Sequence, residues 1–124
     1  MQFTLYADGG SRGNPGPAGS GAVVFDANGK RVVEVADYIG ITTNNVAEYE
    51  ALLRGLKALK QSFTDGYFNA VELVIRMDSK LVIEQLKGAY KVKHPNLIPR
   101  YLQVKNEIAR SFPNVSRLKM RRGL

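Results

Sequence analysis

Hydrophobic positions along the chain change their spacing four times, and the changes mark out its elements. FTLYA (3–7) alternates, SGAVVFD (20–26) is a second apolar run and KRVVEVADYI (30–39) a third, with Asn28-Gly29 as the turn signal between the last two. Period-two runs joined by a short Asn-Gly turn predict three strands in an antiparallel meander. From Val46 the period lengthens. Tyr49, Leu52, Leu53, Leu56, Leu59 and Phe63 recur at helical spacing, and Gly66 ends the segment. VELVIRM (71–77) is nearly continuous in apolar residues, as expected of a strand buried on both faces. A short helix over KLVIEQLKG (80–88), a helix near Ile98–Phe112 with Pro99 in its first turn, and a last alternating strand VSRLKM (115–120) complete the pattern. The order βββαβααβ predicts a mixed sheet of α+β or α/β class with helix crossovers. Its core is expected from Leu5, Val23, Val33, Leu52, Leu56, Leu73, Ile75 and Leu118.

Composition adds limits rather than elements. The 124 residues, 44% hydrophobic and 23% charged, suit one globular domain spanning 1–124, with no internal repeat or low-complexity tract. Cysteine is absent, which excludes disulfides, thiolate metal sites and cysteine nucleophiles. No apolar stretch approaches the roughly 20 residues of a membrane span, and MQFTLYADGG lacks signal-peptide features, so a cytoplasmic location and no membrane partner are expected. Charge is more informative. Residues 1–75 hold 6 Lys/Arg against 8 Asp/Glu, whereas residues 76–124 hold 12 against 3. A basic second half predicts attraction to a polyanion such as nucleic acid, the alternative being lysines kept for solubility.

The candidate chemistry lies at element ends. Asp8 closes the first predicted strand and is followed by the small-residue stretch ADGGSRGNPGPAG (7–19), read as a loop stripped of bulky side chains. Glu48 falls in the expected first turn of the long helix, and Asp78 directly follows the fourth strand. If strands one and four are parallel neighbours, a right-handed crossover places Asp8 and Asp78 side by side at the carboxyl edge of the sheet, where ligands bind in such folds. Each acid also has a plain structural reading. Asn45 and Glu48 fit a capping box, and Asp78 or Ser79 fits a helix N-cap. Caps do not require three acids to meet, however, and gathered carboxylates repel unless a cation joins them. Two Asp and one Glu are hard oxygen donors suited to Mg²⁺ or Mn²⁺.

DGGSRGNPGPAGSGAVVF, TTNNVAEYEALLRGLKAL and MDSKLVIEQLKGAYKVKHPNLIP resemble, in order and spacing, segments of the type 1 ribonuclease H family. The resemblance runs from about Phe3 to the last strand. It implies an α/β ribonuclease H-like fold, a five-stranded mixed sheet with its first three strands antiparallel, flanked by helices. It further implies a metal-dependent endonuclease that cuts the RNA strand of RNA–DNA hybrids, with Asp8, Glu48 and Asp78 as ligands of a two-ion Mg²⁺ or Mn²⁺ site. By the same resemblance, backbone and side chains of Gly9, Gly10, Ser11, Arg12 and Asn14, with Asn44 and Asn45, approach the RNA strand. Lys87, Lys91 and Lys93 form a basic cluster expected to grip the DNA backbone.

One departure from the family pattern shapes these expectations. The family continues past the final strand into a helix that supplies a fourth acid, whereas the sequence as given has no Asp or Glu after Glu107, and the C-terminal helix is expected to be missing. The family's loop histidine has no counterpart either, since His94 reads as a surface or helix-entry residue. The second ion is therefore expected to be held weakly. A monomer is the default, with self-association open through an uncovered final strand. The alternative function is an RNA–DNA hybrid or double-stranded RNA binding domain with little or no catalysis.

Overall fold

The computed structural model describes residues 1–120, with the side chains of Ser116, Arg117 and Met120 excepted. Nine elements follow one another: β1 (Gln2–Ser11), β2 (Gly16–Phe25), β3 (Arg31–Thr42), α1 (Asn44–Gln61), a 3₁₀ turn (Tyr67–Asn69), β4 (Glu72–Met77), α2 (Lys80–Leu86), α3 (Ile98–Ser111) and β5 (Val115–Met120). The strands form one sheet in the order β3-β2-β1-β4-β5. The first three are antiparallel, and β4 pairs in parallel with both β1 and β5. The expected mixed α/β sheet is therefore present, with α1 as the crossover that makes β4 parallel to β1.

Burial alternates along β1, with Phe3, Leu5 and Ala7 inward, and along β2, with Ala18, Ser20, Ala22 and Val24 inward. Against this face lies α1, whose Val46, Tyr49, Leu52, Leu53, Leu56 and Leu59 are buried, and α3 packs on α1. Such a stripe at spacings of three and four is what fixes a helix on a sheet. An aromatic group of Phe3, Phe63, Tyr67, Phe68 and Phe112 closes the end of the sheet opposite Asp8, with Phe68 and Phe112 centroids 4.9 Å apart.

Three expectations need correction. Residues 7–19 are mostly strand, not loop: Gly9, Gly10 and Ser11 pair with Ser20, Gly19 and Ala18, and Arg12 N–H donates to the Pro17 carbonyl at 2.8 Å. Small side chains do not prevent ladder pairing, and the true turn is confined to residues 12–15. Val23, expected in the core, is only half-buried, while its neighbour Val24 is fully enclosed. In the run AVVF a slip of one residue exchanges the two faces, and apolar pattern alone does not choose between them. Leu118, also expected in the core, is partly buried against its margin. The stretch Arg121–Leu124, which bears on the expected missing helix, lies outside the described residues.

Candidate active site

Three elements bring the candidate acids together. In the β1–β4 pairing Ala7 is the partner of Met77, so Asp8 and Asp78 directly follow the last paired positions of that ladder, Asp8 within β1, which runs on along β2 to Ser11, and Asp78 just past the end of β4. Both are exposed. Glu48 reaches them from α1. It is the fifth residue of a helix that starts at Asn44, one turn deeper than expected, and it is buried at 8% exposure.

Thr43 is the N-cap of α1, its Oγ1 accepting from Val46 N–H at 3.3 Å, so Asn45 and Glu48 form no capping box. Ser79 caps α2 by accepting from Val82 N–H at 3.2 Å, and Asp78 is not used as the cap. Glu48 Oε1 instead accepts from Gly9 N–H at 2.8 Å across the helix–strand interface. A Cβ built on Gly9 would lie 2.2 Å from the Ala47 carbonyl oxygen, so glycine is what lets α1 come this close. Gly10 differs: the nearest atom to a Cβ there is 4.0 Å away, and the strand is bare toward open space.

Burial pushes the Glu48 carboxyl up to about 7, against an opposing bond from Gly9 N–H, and the charges of Asp8 and Asp78 push it further in the same direction. The nearness of Asp8 also favours the acid form, and Glu48 Oε2 is buried with no hydrogen-bond partner. An orphaned buried oxygen beside two further carboxylates is a donor set that fits a hard divalent cation. Among the described residues, though, no three Asp, Glu, His or Cys side chains already stand as a closed metal-binding group.

Around the acids, the expected contact residues separate into two groups. Ser11 N–H donates to Asn44 Oδ1 at 2.8 Å, Ser11 Oγ donates to the Gly13 carbonyl at 2.6 Å and lies 3.0 Å from Asn44 Oδ1, and Asn44 N–H donates to Asn14 Oδ1 at 3.1 Å. These bonds tie the end of β1 to the start of α1. Gly9, Gly10, Ser11 and Arg12 line an open cavity of about 930 Å³ together with Asp8. A second cavity, of about 380 Å³, is lined by Asn14, Thr43, Asn45, Lys91 and Lys93. Lys87 Nζ lies 4.0 Å from Glu84 Oε1. His94 is exposed and serves the entry to α3, where its Nδ1 accepts from Asn96 N–H and its carbonyl from Leu97 N–H.

A family model described as reverse transcriptase-like matches residues 6–122. The N-terminal RNase H domain of Rv2228c from Mycobacterium tuberculosis, solved as a fusion with maltose binding protein, matches with a TM-score of 0.86 at 41% identity over 100% of this chain and 88% of that one. The chain belongs to the ribonuclease H family. LC11-RNase H1, solved in complex with an RNA/DNA hybrid, gives a TM-score of 0.84 at 41% identity, covering 97% and 86% of the two chains. In sequence, the bifunctional protein Rv2228c of M. tuberculosis is 51% identical over 105 residues, and the ribonuclease HI of Halobacterium salinarum 48% over 92. Those matches cover 83% and 74% of this chain but only 27% and 43% of the relatives.

Within this ribonuclease H domain, sequence reasoning missed Thr43 and Gln85. The first was masked by two asparagines that cap equally well, although its spacing to Val46 is the usual one. Gln85 is buried at 3% exposure beside Val82, Ile83 and Leu86. Its signal was a lone amide on the apolar side of α2.

Proposed function

We propose that this chain is a metal-dependent endonuclease that hydrolyses the RNA strand of RNA–DNA hybrids, leaving 5′-phosphate and 3′-hydroxyl ends. The observation that carries the reading is Glu48: buried, held by Gly9 N–H through one oxygen, orphaned at the other, and raised to about 7 beside Asp8 and Asp78. Structural caps need no such arrangement. Asp8, Glu48 and Asp78 are the groups that would hold Mg²⁺ or Mn²⁺, and ions bound there supply a nucleophilic water and stabilise the leaving oxygen. Glu48 releases its proton as it takes up a cation, so its cost of ionisation is met only when the site is loaded.

Substrate recognition is assigned to the surroundings. Asn44 Oδ1 is occupied by Ser11, which leaves Nδ2 to donate to a ribose 2′-hydroxyl in the shallow minor groove of the hybrid. Gly10 admits a sugar close to the strand, and Arg12 meets phosphate. Lys91 and Lys93 take the DNA backbone. The likeness to LC11-RNase H1, whose structure holds a hybrid, supports hybrid binding.

The test is an end-labelled hybrid incubated with the protein and Mg²⁺ or Mn²⁺, with single-stranded RNA and duplex DNA as controls. Cleavage confined to the RNA strand of the hybrid is expected. Asp8→Asn and Asp78→Asn should each lower it by about 1,000-fold or more while hybrid affinity stays equal or rises. Binding without cutting in the parent protein would instead identify a hybrid-binding domain.

A further inference from the structure

The segment between α2 and α3, residues 87–97, has no regular structure, yet it carries Lys91 and Lys93 into the same cavity as Asn14, Thr43 and Asn45. Its ends are fixed by backbone bonds: Ala89 and Tyr90 N–H donate to the Glu84 carbonyl, and the His94 carbonyl accepts from Leu97 and Ile98. Between them, Val92 packs against the core. Among the described residues, the only hydrogen bond reaching the backbone of 91–93 comes from Gln85, whose Nε2 donates to the Lys91 carbonyl at 3.3 Å. The other end of that amide is held by α1. Tyr49 Oη donates to Gln85 Oε1 at 2.6 Å, and Tyr49 is fully buried.

We propose that Gln85 is a positioning residue for hybrid binding, fixing the lysine-bearing segment to the helix that carries Glu48. The proposal rests on the reading that Lys91 and Lys93 contact the hybrid. Packing alone does not call for an amide here, because an apolar side chain would fill the face shared with Val82 and Leu86 without a polar group to satisfy. A carbonyl only accepts, so the bond to Lys91 fixes the orientation of the amide and aims Oε1 at Tyr49. Tyr49 directly follows Glu48. One helical turn thus sets both the buried acid and, through Tyr49 and Gln85, the height of Lys91 above it. Pre-set spacing between the cutting site and its cationic contacts lowers the ordering cost of binding.

Gln85→Glu is the sharpest variant, since it keeps shape and the Tyr49 bond but sets an oxygen against the Lys91 carbonyl. Gln85→Met removes both bonds, and Tyr49→Phe removes one without adding charge, which keeps the test open if the first variant folds poorly. In the free protein, trypsin nicking after Lys91 or Lys93 should become several-fold faster. The dissociation constant for a hybrid should rise roughly fivefold, and its salt dependence should flatten by about one to two contacts' worth. Cleavage at saturating hybrid should hold its parent kcat, which places the effect in KM. Unchanged nicking, or loss of kcat in step with loss of thermal stability, would overturn the proposal. The double variant Lys91→Ala/Lys93→Ala separates the two layers: unchanged hybrid affinity there refutes the lysine contact, whereas faster nicking in the Gln85 variants reports the tether by itself.

Discussion

Glu48→Gln should make the metal-free protein more stable, by an amount that grows from about pH 4.5 and is nearly complete at pH 7. In the folded state the carboxyl is raised from 4.5 to about 7, chiefly because it is buried. Unfolded, it titrates near its ordinary value. The folded state therefore keeps a proton that the unfolded state releases, and the stability this acid contributes is fully present below about pH 4.5 and lost as pH rises toward 7. At about 1.4 kcal/mol for each pKa unit, the loss at pH 8 is about 3 kcal/mol. Glutamine cannot ionise, and its Oε1 still accepts from Gly9 N–H, so the variant escapes the loss. For a domain of this size the gain corresponds to about 10 °C in Tm. Thermal unfolding of both proteins in EDTA, stepped from pH 4 to pH 9, should give Tm values that coincide at the acid end, separate from about pH 5 and reach their full difference above pH 7. Saturating Mg²⁺ at pH 8 should raise the parent Tm and leave the variant nearly unmoved. A Tm difference that is the same at pH 4 and pH 8 would refute the reasoning, because it would show that ionisation of Glu48 costs the fold nothing.

The two glycines that follow Asp8 should behave in opposite ways. Gly9→Ala drives a Cβ into the Ala47 carbonyl and should cost about 3 kcal/mol in urea denaturation, with loss of cleavage; Gly10→Ala should leave stability within about 0.5 kcal/mol and instead weaken hybrid binding. Val24→Ala should destabilise by about 2 kcal/mol and Val23→Ala by less than half of that, since only Val24 is enclosed. Equal losses at the two valines would show that the inward face of β2 is misassigned.

The order of elements was readable because each carries its own period, whereas the parallel β1–β4 pairing entered as a condition, which the sheet order meets. Given that pairing, Asp8 and Asp78 come side by side where the β1–β4 ladder ends. What the pattern could not settle were choices between adjacent residues. Val23 and Val24 are equally apolar, and the inward one is decided by α1 lying on Ala18, Ala22 and Val24. Thr43, Asn44 and Asn45 are all good caps, and the bonds of Asn44 to Ser11 and of Asn14 to Asn44 leave capping to Thr43. The stretch after Asp8 read as loop because glycine and proline depress strand propensity, yet seven of its residues extend ladders on both sides of a short turn. Gln85 stayed hidden because its partners are 36 and 6 positions away in the chain.

Glycine at position 9 links these levels. Without a side chain there, α1 closes onto β1 until Glu48 meets Gly9 N–H, and that closeness is what buries the carboxyl. Burial, more than the neighbouring aspartates, raises its affinity for a proton, and in our proposal a cation displaces that proton when the site is loaded. Had the helix stood off by the width of a methyl group, solvent would reach Glu48, its carboxyl would return toward 4.5, and the three acids would sit as separate exposed charges. The bareness of the stretch after Asp8 thus has two causes at adjacent positions, the approach of the protein's own helix at Gly9 and an open strand surface at Gly10. The first creates the chemistry of the site, and the second, in our proposal, leaves room for the duplex on which that chemistry acts.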